Sequence, residues 1–359
     1  MLPPGSTIGI LGTGQLGRML ASAAAKLGFR TAVYGPDAEE SPAGQVTNRP
    51  VTGDYDDADA VAAFAQACDT VTYEFENVPA SAAAAVARVG TPLAPGVDAL
   101  EASQERLREK RLFRSLRIDT VEFWPVDNAR QLERALARAG HAILKTRRFG
   151  YDGKGQVRLS GSEDPEAVLA GLGGGPWILE AVAPFEREIS QVAARSVRGE
   201  VAFFDPCENQ HKDGILARSI IPAEASAELK AEARNAVHRV MDKLDYVGVL
   251  TVEFFDVGGR LLANEMAPRV HNSGHHTYEA CTVSQFEQHI RAVAGWPLLD
   301  PETLHPMEML NLIGNEVHEW AGLAADPDVS LTLYGKREAR PGRKMGHAVR
   351  PYHPHTEGQ

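Results

Sequence analysis

VGVLTVEFFDVGGRLLANEMAPRVHNSGHHTY, residues 247–278, is the stretch on which the reading of the whole chain depends. Two β-branched runs, 248–255 and 260–266, flank a Val-Gly-Gly turn, the pattern of a hairpin with a short glycine loop. Each run carries one carboxylate, Glu253 and Glu265, among residues that a sheet would bury. Glutamate is depleted in strands and costly to bury unpaired, so two on neighbouring strands require a partner. A hard divalent cation is one such partner, because Mg²⁺ takes one or two carboxylates together with substrate phosphates. Asn264 stands beside Glu265 as a further oxygen donor. The loop that follows places Arg269, His271, Asn272, Ser273, His275 and His276 within eight residues. The plainer alternative is a salt-bridged hairpin followed by a polar surface loop.

Composition narrows the classes available. A chain of 359 residues with 43% hydrophobic content builds two or three domains, each with its own core. Glycine (33) and proline (22) are sufficient for many strand–helix connections and too few for disorder. The net charge of −11 argues against a nucleic-acid binder, while leaving room for a local basic pocket. Cys68, Cys207 and Cys281 are odd in number, widely spaced and in no CxxC pair, which fits neither a disulfide framework nor a zinc site. No apolar run approaches the roughly 20 residues of a membrane span. MLPPGST lacks a basic region followed by an apolar stretch, so the expectation is a soluble cytoplasmic protein without a membrane partner.

Outward from the hairpin, the N-terminal hundred residues alternate strand and helix. A strand over 7–11, the turn GTGQLGRM, an Ala-rich helix and a second strand over 30–34 make the first half of a βαβ unit. Gly12-x-Gly14-x-x-Gly17 matches the dinucleotide fingerprint, whose companion is an acid at the tip of the second strand. Here that strand ends at Tyr34-Gly35-Pro36, and the first acid, Asp37, lies beyond the break. The glycines are equally explained by a turn passing close to a helix and some ligand. A helix over 58–67, a strand over 70–73 and a helix over 81–89 follow. The strand runs into EFEN, which places Glu74 at a carboxyl end, where open parallel sheets bind ligands; a capping or solvated acid is the alternative. Residues 99–117 read as one charged helix with an apolar stripe at Leu107, Leu112 and Leu116. An extended connection is expected over 118–125.

The character then changes. A helix over 129–139 leads to the strand HAILK, which ends in Lys145 and is followed by TRRFGYDGKGQVRL. Gly150, Gly153 and Gly155 within six residues make a loop between two strands whose N–H groups can face phosphates. GxxxxGK[ST] is absent, so this is no Walker loop. Lys145 would supply a point charge to the phosphates; an ordinary glycine hairpin with surface cations is the alternative. Strands follow at 177–180, 187–195, 201–205 and 215–221, with Asn209-Gln210-His211 expected in a loop. An amphipathic helix over 226–244 precedes the hairpin. Beyond it come a helix over 284–294, a strand over 308–313 and a last strand over 331–334. Lys336, Arg337, Arg340, Arg343 and Lys344 then reverse the chain's overall charge, as an anion site or as a solvated basic face.

GxGQLGRM, EFENVP, KTRRFGYDGKGQ, EREIS, NQHKDGIL, YVGVLTVEFF and NEMAPRVHNSGHHT, in this order from about residue 8 to 347, together resemble the ATP-grasp superfamily. Within it they are similar to the 5-(carboxyamino)imidazole ribonucleotide synthase family of purine biosynthesis. The resemblance implies α/β and α+β domains: a Rossmann-like N-terminal domain (1–117), a central ATP-grasp lid domain (118–183), and a C-terminal ATP-grasp domain with a basic substrate-binding tail (184–359). It implies ATP and Mg²⁺ as cofactors, and a homodimer. It also implies that bicarbonate is phosphorylated to carboxyphosphate, which carboxylates the amine of 5-aminoimidazole ribonucleotide.

Carried over by motif, the ATP contacts are Arg106, Lys145, the loop Gly150, Tyr151, Asp152, Gly153, Lys154, Gly155 and Gln156, the adenine connection Glu180, Ala181, Val182 and Ala183, then Glu188, His211, Asn264 and Glu265. Glu188 takes the ribose hydroxyls, and Glu253 and Glu265 hold Mg²⁺. Gln15, Leu16 and Glu74 match the aminoimidazole contacts, and Lys336 and Arg343 the ribonucleotide phosphate grip. Tyr151, Asp152, Arg269, His271, Asn272, Ser273 and Gly274 surround bicarbonate and the reacting amine, with Lys145, Tyr151, Asp152, Arg269 and His271 as the catalytic set. Thr13, where a third glycine is common, is no ligand contact, and the apolar adenine connection works through its backbone. His271 and His275 are candidates for the base, alongside the released phosphate. Three other readings remain: a relative that transfers formate to glycinamide ribonucleotide, disfavoured by Gln15 and HNSGHHT; a nicotinamide-dependent oxidoreductase resting on GTGQLG alone; and a non-catalytic nucleotide-binding relative, disfavoured because Lys145, Glu253 and Glu265 are all present.

Overall fold

The βαβ reading of the first hundred residues forms a four-stranded parallel sheet in the computed structural model, which describes residues 1–150, 155–172 and 175–353. Its strands β1 (Thr7–Leu11), β2 (Arg30–Gly35), β3 (Arg49–Thr52) and β4 (Thr70–Tyr73) lie in the order β3-β2-β1-β4. They are joined through α1 (Gln15–Lys26) and α2 (Ala58–Gln66), and α3 (Ala80–Arg88) follows β4. β3, RPVT, escapes a sequence reading because of its proline; an edge strand tolerates the missing N–H.

The single charged helix expected over 99–117 is two helices, α4 (Val97–Ser103) and α5 (Arg106–Ser115). Glu105 breaks it: its backbone is extended and its carboxylate accepts the N–H groups of Leu107 and Arg108, an N-cap that competes with helix continuation. Phe113 is fully buried with Ala99 and Ala102 in the same core as the later hairpin.

A second sheet follows, in the order β5-β8-β6-β7. It holds β5 (Phe123–Val126), β6 (Ala142–Thr146), β7 (Gln156–Leu159) and β8 (Trp177–Ala181), with α6 (Ala129–Ala139) and α7 (Pro165–Leu172). Tyr151, Asp152, Gly153 and Lys154, named above as loop contacts, lie outside the described residues.

The third sheet has nine strands in the order β14-β13-β9-β11-β12-β15-β17-β16, with one strand branching from β9. They are β9 (Arg187–Arg195), the branching β10 (Val201–Phe203), β11 (Cys207–Lys212), β12 (Ile215–Ile221), β13 (Gly248–Val257), β14 (Arg260–Ala267), β15 (Met307–Ile313), β16 (Ser330–Leu333) and β17 (Lys344–Pro351). The helices are α8 (Ala227–Lys243), α9 (Thr277–Ala280), α10 (Gln285–Val293) and α11 (Trp320–Ala325). Two expectations fail here. Asn209-Gln210-His211 is strand, not loop, because polar β11 pairs with β9 and β12 on both sides. The strand over 331–334 is not the last: β17 follows, its basic ends masking a buried centre at Met345–Val349.

Side chains on alternate faces of the third sheet give it two different surfaces. Ile189, Ala193, Leu250, Val252 and Phe254 pack under α8. On the opposite face Val192, Ala194 and Val249 share a core with α1 and α10, which also holds Ile8 and Ile10 of β1. Further along that second face the apolar cover stops, and Glu253, Ser190, Glu188 and Asn209 emerge. Among the described residues no helix is long and apolar enough to cross a membrane.

Candidate active site

The hairpin closes through Gly258 and Gly259, both at positive φ (60° and 80°), with Val257 paired to Arg260. That two-residue turn sets the register from Val257–Arg260 as far as Phe254–Ala263, and a one-residue shift beyond it places Glu253 directly across from Glu265. Immediately beyond, the partner of Phe254 is Ala263, so Asn264 is an extra, bulged residue on β14. The bulge leaves backbone groups without ladder partners, and α5 supplies them. Lys110 Nζ donates to the carbonyl oxygens of Asn264 (2.7 Å) and Ala263 (3.3 Å), and Glu109 Oε1 accepts the Met266 N–H (2.7 Å). Both side chains are almost fully buried. No sequence pattern separates Glu109 and Lys110 from the other charges of this helix.

Electrostatics make the opposed carboxylates unequal. Burial, reinforced by the charge of Glu265, raises the Glu253 carboxyl above the usual range. Burial acts upward on Glu265 too, but Arg106 and Lys145 outweigh it and hold that carboxyl low. Arg106 Nη1 lies 3.1 Å from Glu265 Oε2, while Nη2 donates to the Gly150 carbonyl at 3.1 Å, tying the carboxylate to the start of the glycine loop. Asn264 Oδ1 is buried without a hydrogen-bond partner among the described residues. Like charges opposed across a strand pair, beside an orphaned amide oxygen, fit a hard divalent cation. Glu253, Glu265 and Asn264 are the oxygen donors that would hold Mg²⁺. Glu188, His211 and Glu253 also have ligand atoms within 4.8 Å of one another. In that group His211 Nδ1 is 2.8 Å from Glu188 Oε2, a pairing that outweighs burial and raises the imidazole's pKa.

The second sheet contributes a buried ion cluster. Lys145 Nζ lies 2.7 Å from Glu180 Oε2, and Lys110 Nζ is 3.7 Å from the same oxygen. Burial raises the Glu180 carboxyl, but the two lysines overcome it and bring it down to about 2. In the segment expected to form the adenine connection, the Ala181 and Val182 N–H groups already donate to the carbonyls of Glu122 and His141. Those two donors are therefore taken, which narrows the backbone role expected there.

The fingerprint turn of the first sheet is filled by the protein itself. Glu74 accepts the N–H groups of Gly14 (2.7 Å) and Gly17 (3.0 Å) at the N-terminus of α1, where a dinucleotide would put its pyrophosphate. A Cβ on Gly12 would lie 2.2 Å from Glu74 Cγ, so this glycine is required by the carboxylate. Thr13 Oγ1 donates to Asp37, which removes the remaining acid from ribose recognition. The nicotinamide reading therefore fails sterically. Burial leaves the Glu74 carboxyl raised, even against the two N–H groups and the charges of Arg269 and Lys336.

The carboxylate hairpin, the Glu74 turn, Arg106 and the basic tail meet in one cleft of about 720 Å³, which Lys145, Glu180, Glu188 and His211 do not line. It is lined from the first sheet by Gln15, Leu16, Glu74 and Glu76, from α5 by Arg106, and from the loop after β6 by Gly150. The third sheet and its loops add Glu253, Glu265, Arg269, His271, Asn272, Lys336 and Arg343. Residues 170 or more apart in sequence thus share one wall. Arg269 forms an ion pair with Glu76, a partner that the EFEN segment contained but no pattern singled out.

Two expectations are corrected. Ser273 and Gly274 are buried beneath the cleft instead of lining it: the Ser273 hydroxyl meets Ser190 Oγ and His271 Nδ1, and Gly274 lies against Gln285. His275, a candidate base, is 1% exposed among Phe286, Tyr334 and His347, and burial holds its pKa well below the usual value. Burial, with Arg269 and Lys344 nearby, likewise keeps His271 neutral.

Comparison with known proteins agrees with this geometry. Residues 5–104 match the ribonucleotide synthetase preATP-grasp domain, 111–286 the ATP-grasp domain, and 308–350 the phosphoribosylaminoimidazole carboxylase C-terminal domain. The chain is 51% identical over 353 residues to N5-carboxyaminoimidazole ribonucleotide synthase of Brucella melitensis, covering 97% of each chain. A Thermus thermophilus N5-carboxyaminoimidazole ribonucleotide synthetase superposes with a TM-score of 0.89 at 46% identity, over 96% of this chain and 93% of that one. The Aspergillus clavatus N5-carboxyaminoimidazole synthase, solved with ADP and 5-aminoimidazole ribonucleotide, gives 0.90 at 30% identity, over 97% and 94%. The chain belongs to the N5-carboxyaminoimidazole ribonucleotide synthase family of ATP-grasp ligases.

Proposed function

We propose that this protein uses ATP and bicarbonate to carboxylate the exocyclic amine of 5-aminoimidazole ribonucleotide. A bicarbonate oxygen attacks the γ-phosphorus, the bond to ADP breaks, and carboxyphosphate forms. The amine then attacks the carboxyl carbon, the C–O bond to phosphate breaks, and the leaving phosphate takes the amine proton. The observation that carries the reading is the single cleft in which the carboxylate hairpin, the Glu74 end of the first sheet and the basic tail at Lys336 and Arg343 converge. Phosphoryl transfer needs positioning and charge neutralisation more than a protein nucleophile, and the cleft supplies both.

In this reading Lys145 and Arg106 neutralise nucleotide phosphates, Glu188 and His211 hold the ribose end, and Gly150–Gln156 cover the phosphates. Glu253, Glu265 and Asn264 would hold Mg²⁺, which would supply charge neutralisation for the nucleotide phosphates. Gln15, Leu16 and Glu74 contact the aminoimidazole, Lys336 and Arg343 grip its phosphate, and Arg269, His271 and Asn272 face bicarbonate. Carboxyphosphate hydrolyses readily, so the cover over the cleft also serves to exclude water. The proposal includes three units divided near 117 and 183, a homodimer, and a reducing cytoplasmic setting in keeping with three free cysteines.

Phosphate release measured with ATP, Mg²⁺, bicarbonate and 5-aminoimidazole ribonucleotide, each omitted in turn, tests the reading. Release that depends on both bicarbonate and the ribonucleotide is expected. Release that responds instead to formate and glycinamide ribonucleotide would replace this reading with the transformylase one.

A further inference from the structure

Beneath Glu253 the third sheet carries a buried chain of hydroxyl and amide groups that reaches one ring nitrogen of the cleft histidine. Ser190 on β9 is the direct cross-strand neighbour of Glu253 on one side and of Cys207 on the other, and it is fully buried. Ser219 Oγ donates to Asn209 Oδ1 at 2.8 Å, and Asn209 Nδ2 donates to Ser190 Oγ at 3.0 Å. Ser190 Oγ in turn donates to Ser273 Oγ at 2.8 Å. Ser273 Oγ lies 2.9 Å from His271 Nδ1.

The direction of the last link is settled by the backbone. The Ser273 N–H also points at His271 Nδ1, at 3.3 Å. A backbone N–H can only donate, so Nδ1 must carry a lone pair, and the Ser273 hydroxyl, which accepts from Ser190 and has its proton free, donates there too. The ring proton is thereby forced onto Nε2. That atom faces the cleft 3.7 Å from Glu253 Oε1, beyond hydrogen-bonding reach.

We infer that the Ser219–Asn209–Ser190–Ser273 chain fixes His271 as the Nε2–H tautomer, so that His271 acts as a preset hydrogen-bond donor to an oxyanion in the cleft and not as the base. Ser190, which also meets Cys207 Sγ at 2.9 Å, and Asn209 are positioning residues, because they reach the cleft through Ser273 and His271. The oxyanion is an oxygen of bicarbonate or of the phosphate it carries, a role that rests on the carboxylation reading. The tautomer itself does not rest on it. A donor already aimed at developing charge needs no reorganisation during the reaction, the condition under which such groups contribute most.

The test is nitrogen NMR of ¹⁵N-histidine-labelled full-length enzyme without substrates, with His271 assigned through His271→Gln. A single neutral tautomer protonated on Nε2 is expected. Ser190→Ala and Asn209→Ala should mix the tautomers and lower kcat for carboxylation about tenfold while leaving KM for ATP unchanged, and Ser190→Thr should restore both. A wild-type ring protonated on Nδ1 overturns the inference even if no variant folds. So does a shifted tautomer with unchanged kcat. Loss of ribonucleotide-dependent turnover in the wild type, with the Nε2–H signature intact, would instead count against the proposed reaction.

Discussion

Glu253 and Glu265 stand opposite each other across the β13–β14 pair, with the bulged Asn264 between that pairing and the next. The two like charges raise the energy of the cation-free protein, and a divalent cation between them removes that cost. Glu253→Gln should therefore leave thermal stability without Mg²⁺ unchanged or higher, and abolish the stabilisation that Mg²⁺ and nucleotide confer on the wild type. Turnover should fall on the order of 10²-fold. Melting curves with and without Mg²⁺ check it; equal stabilisation of the variant would remove Glu253 from the cation site.

Glu74 fills the turn that a dinucleotide would otherwise occupy. Glu74→Ala strips the acceptor from the N–H groups of Gly14 and Gly17, and should cost about 1–3 kcal/mol of stability together with ribonucleotide affinity. Gly12→Ala should be at least as damaging, since φ is +116° there and the new Cβ would strike Glu74. Denaturant unfolding measures both. Titration with NADH should show no saturable binding to the wild type.

The Glu180 cluster should be visible in acid. Its folded-state pKa of about 2 lies below the ordinary carboxyl value of about 4.3, so its contribution is complete above that value and is lost as pH falls toward 2. Glu180→Gln leaves Lys110 buried without its carboxylate and should cost about 3 kcal/mol at neutral pH. The gap between wild type and variant should narrow steadily from about pH 4 to pH 2. Urea midpoints across that range decide the matter: a constant gap would mean that the carboxylate does not lose its charge there.

The basic tail carries the most direct prediction about substrate. Lys336 Nζ donates to the Lys344 carbonyl at 2.6 Å and Arg343 Nη1 to the Glu338 carbonyl at 3.1 Å, which hold both cations at the cleft. Lys336→Ala and Arg343→Ala should each raise KM for the ribonucleotide about tenfold or more, with KM for ATP little changed. Initial-rate measurements separate the two. An effect confined to ATP would assign the tail to the nucleotide.

Much of this protein is written locally. Hydrophobic alternation and a Gly-Gly turn set the hairpin, while the bulge at Asn264, which no local pattern announces, puts Glu253 against Glu265. The strand–glycine–helix order of the first domain and the ordered motifs around Lys145, Glu180 and Glu188 needed no tertiary information, because each is decided by neighbours a few residues away. What the chain could not show by itself depends on pairing at a distance. Polar β11 and basic β17 become strands only because partners on both sides satisfy their backbone. Glu105 ends a helix by outcompeting it for two N–H groups. Glu74 turns a nucleotide fingerprint into a closed turn, a matter of about 60 residues of separation brought to hydrogen-bonding distance. The role of His271 was the most distant of these. Its residue type offered acid, base or donor, and the Ser273 N–H together with the buried partners of the Ser273 hydroxyl on β9, β11 and β12 decides which nitrogen holds the proton.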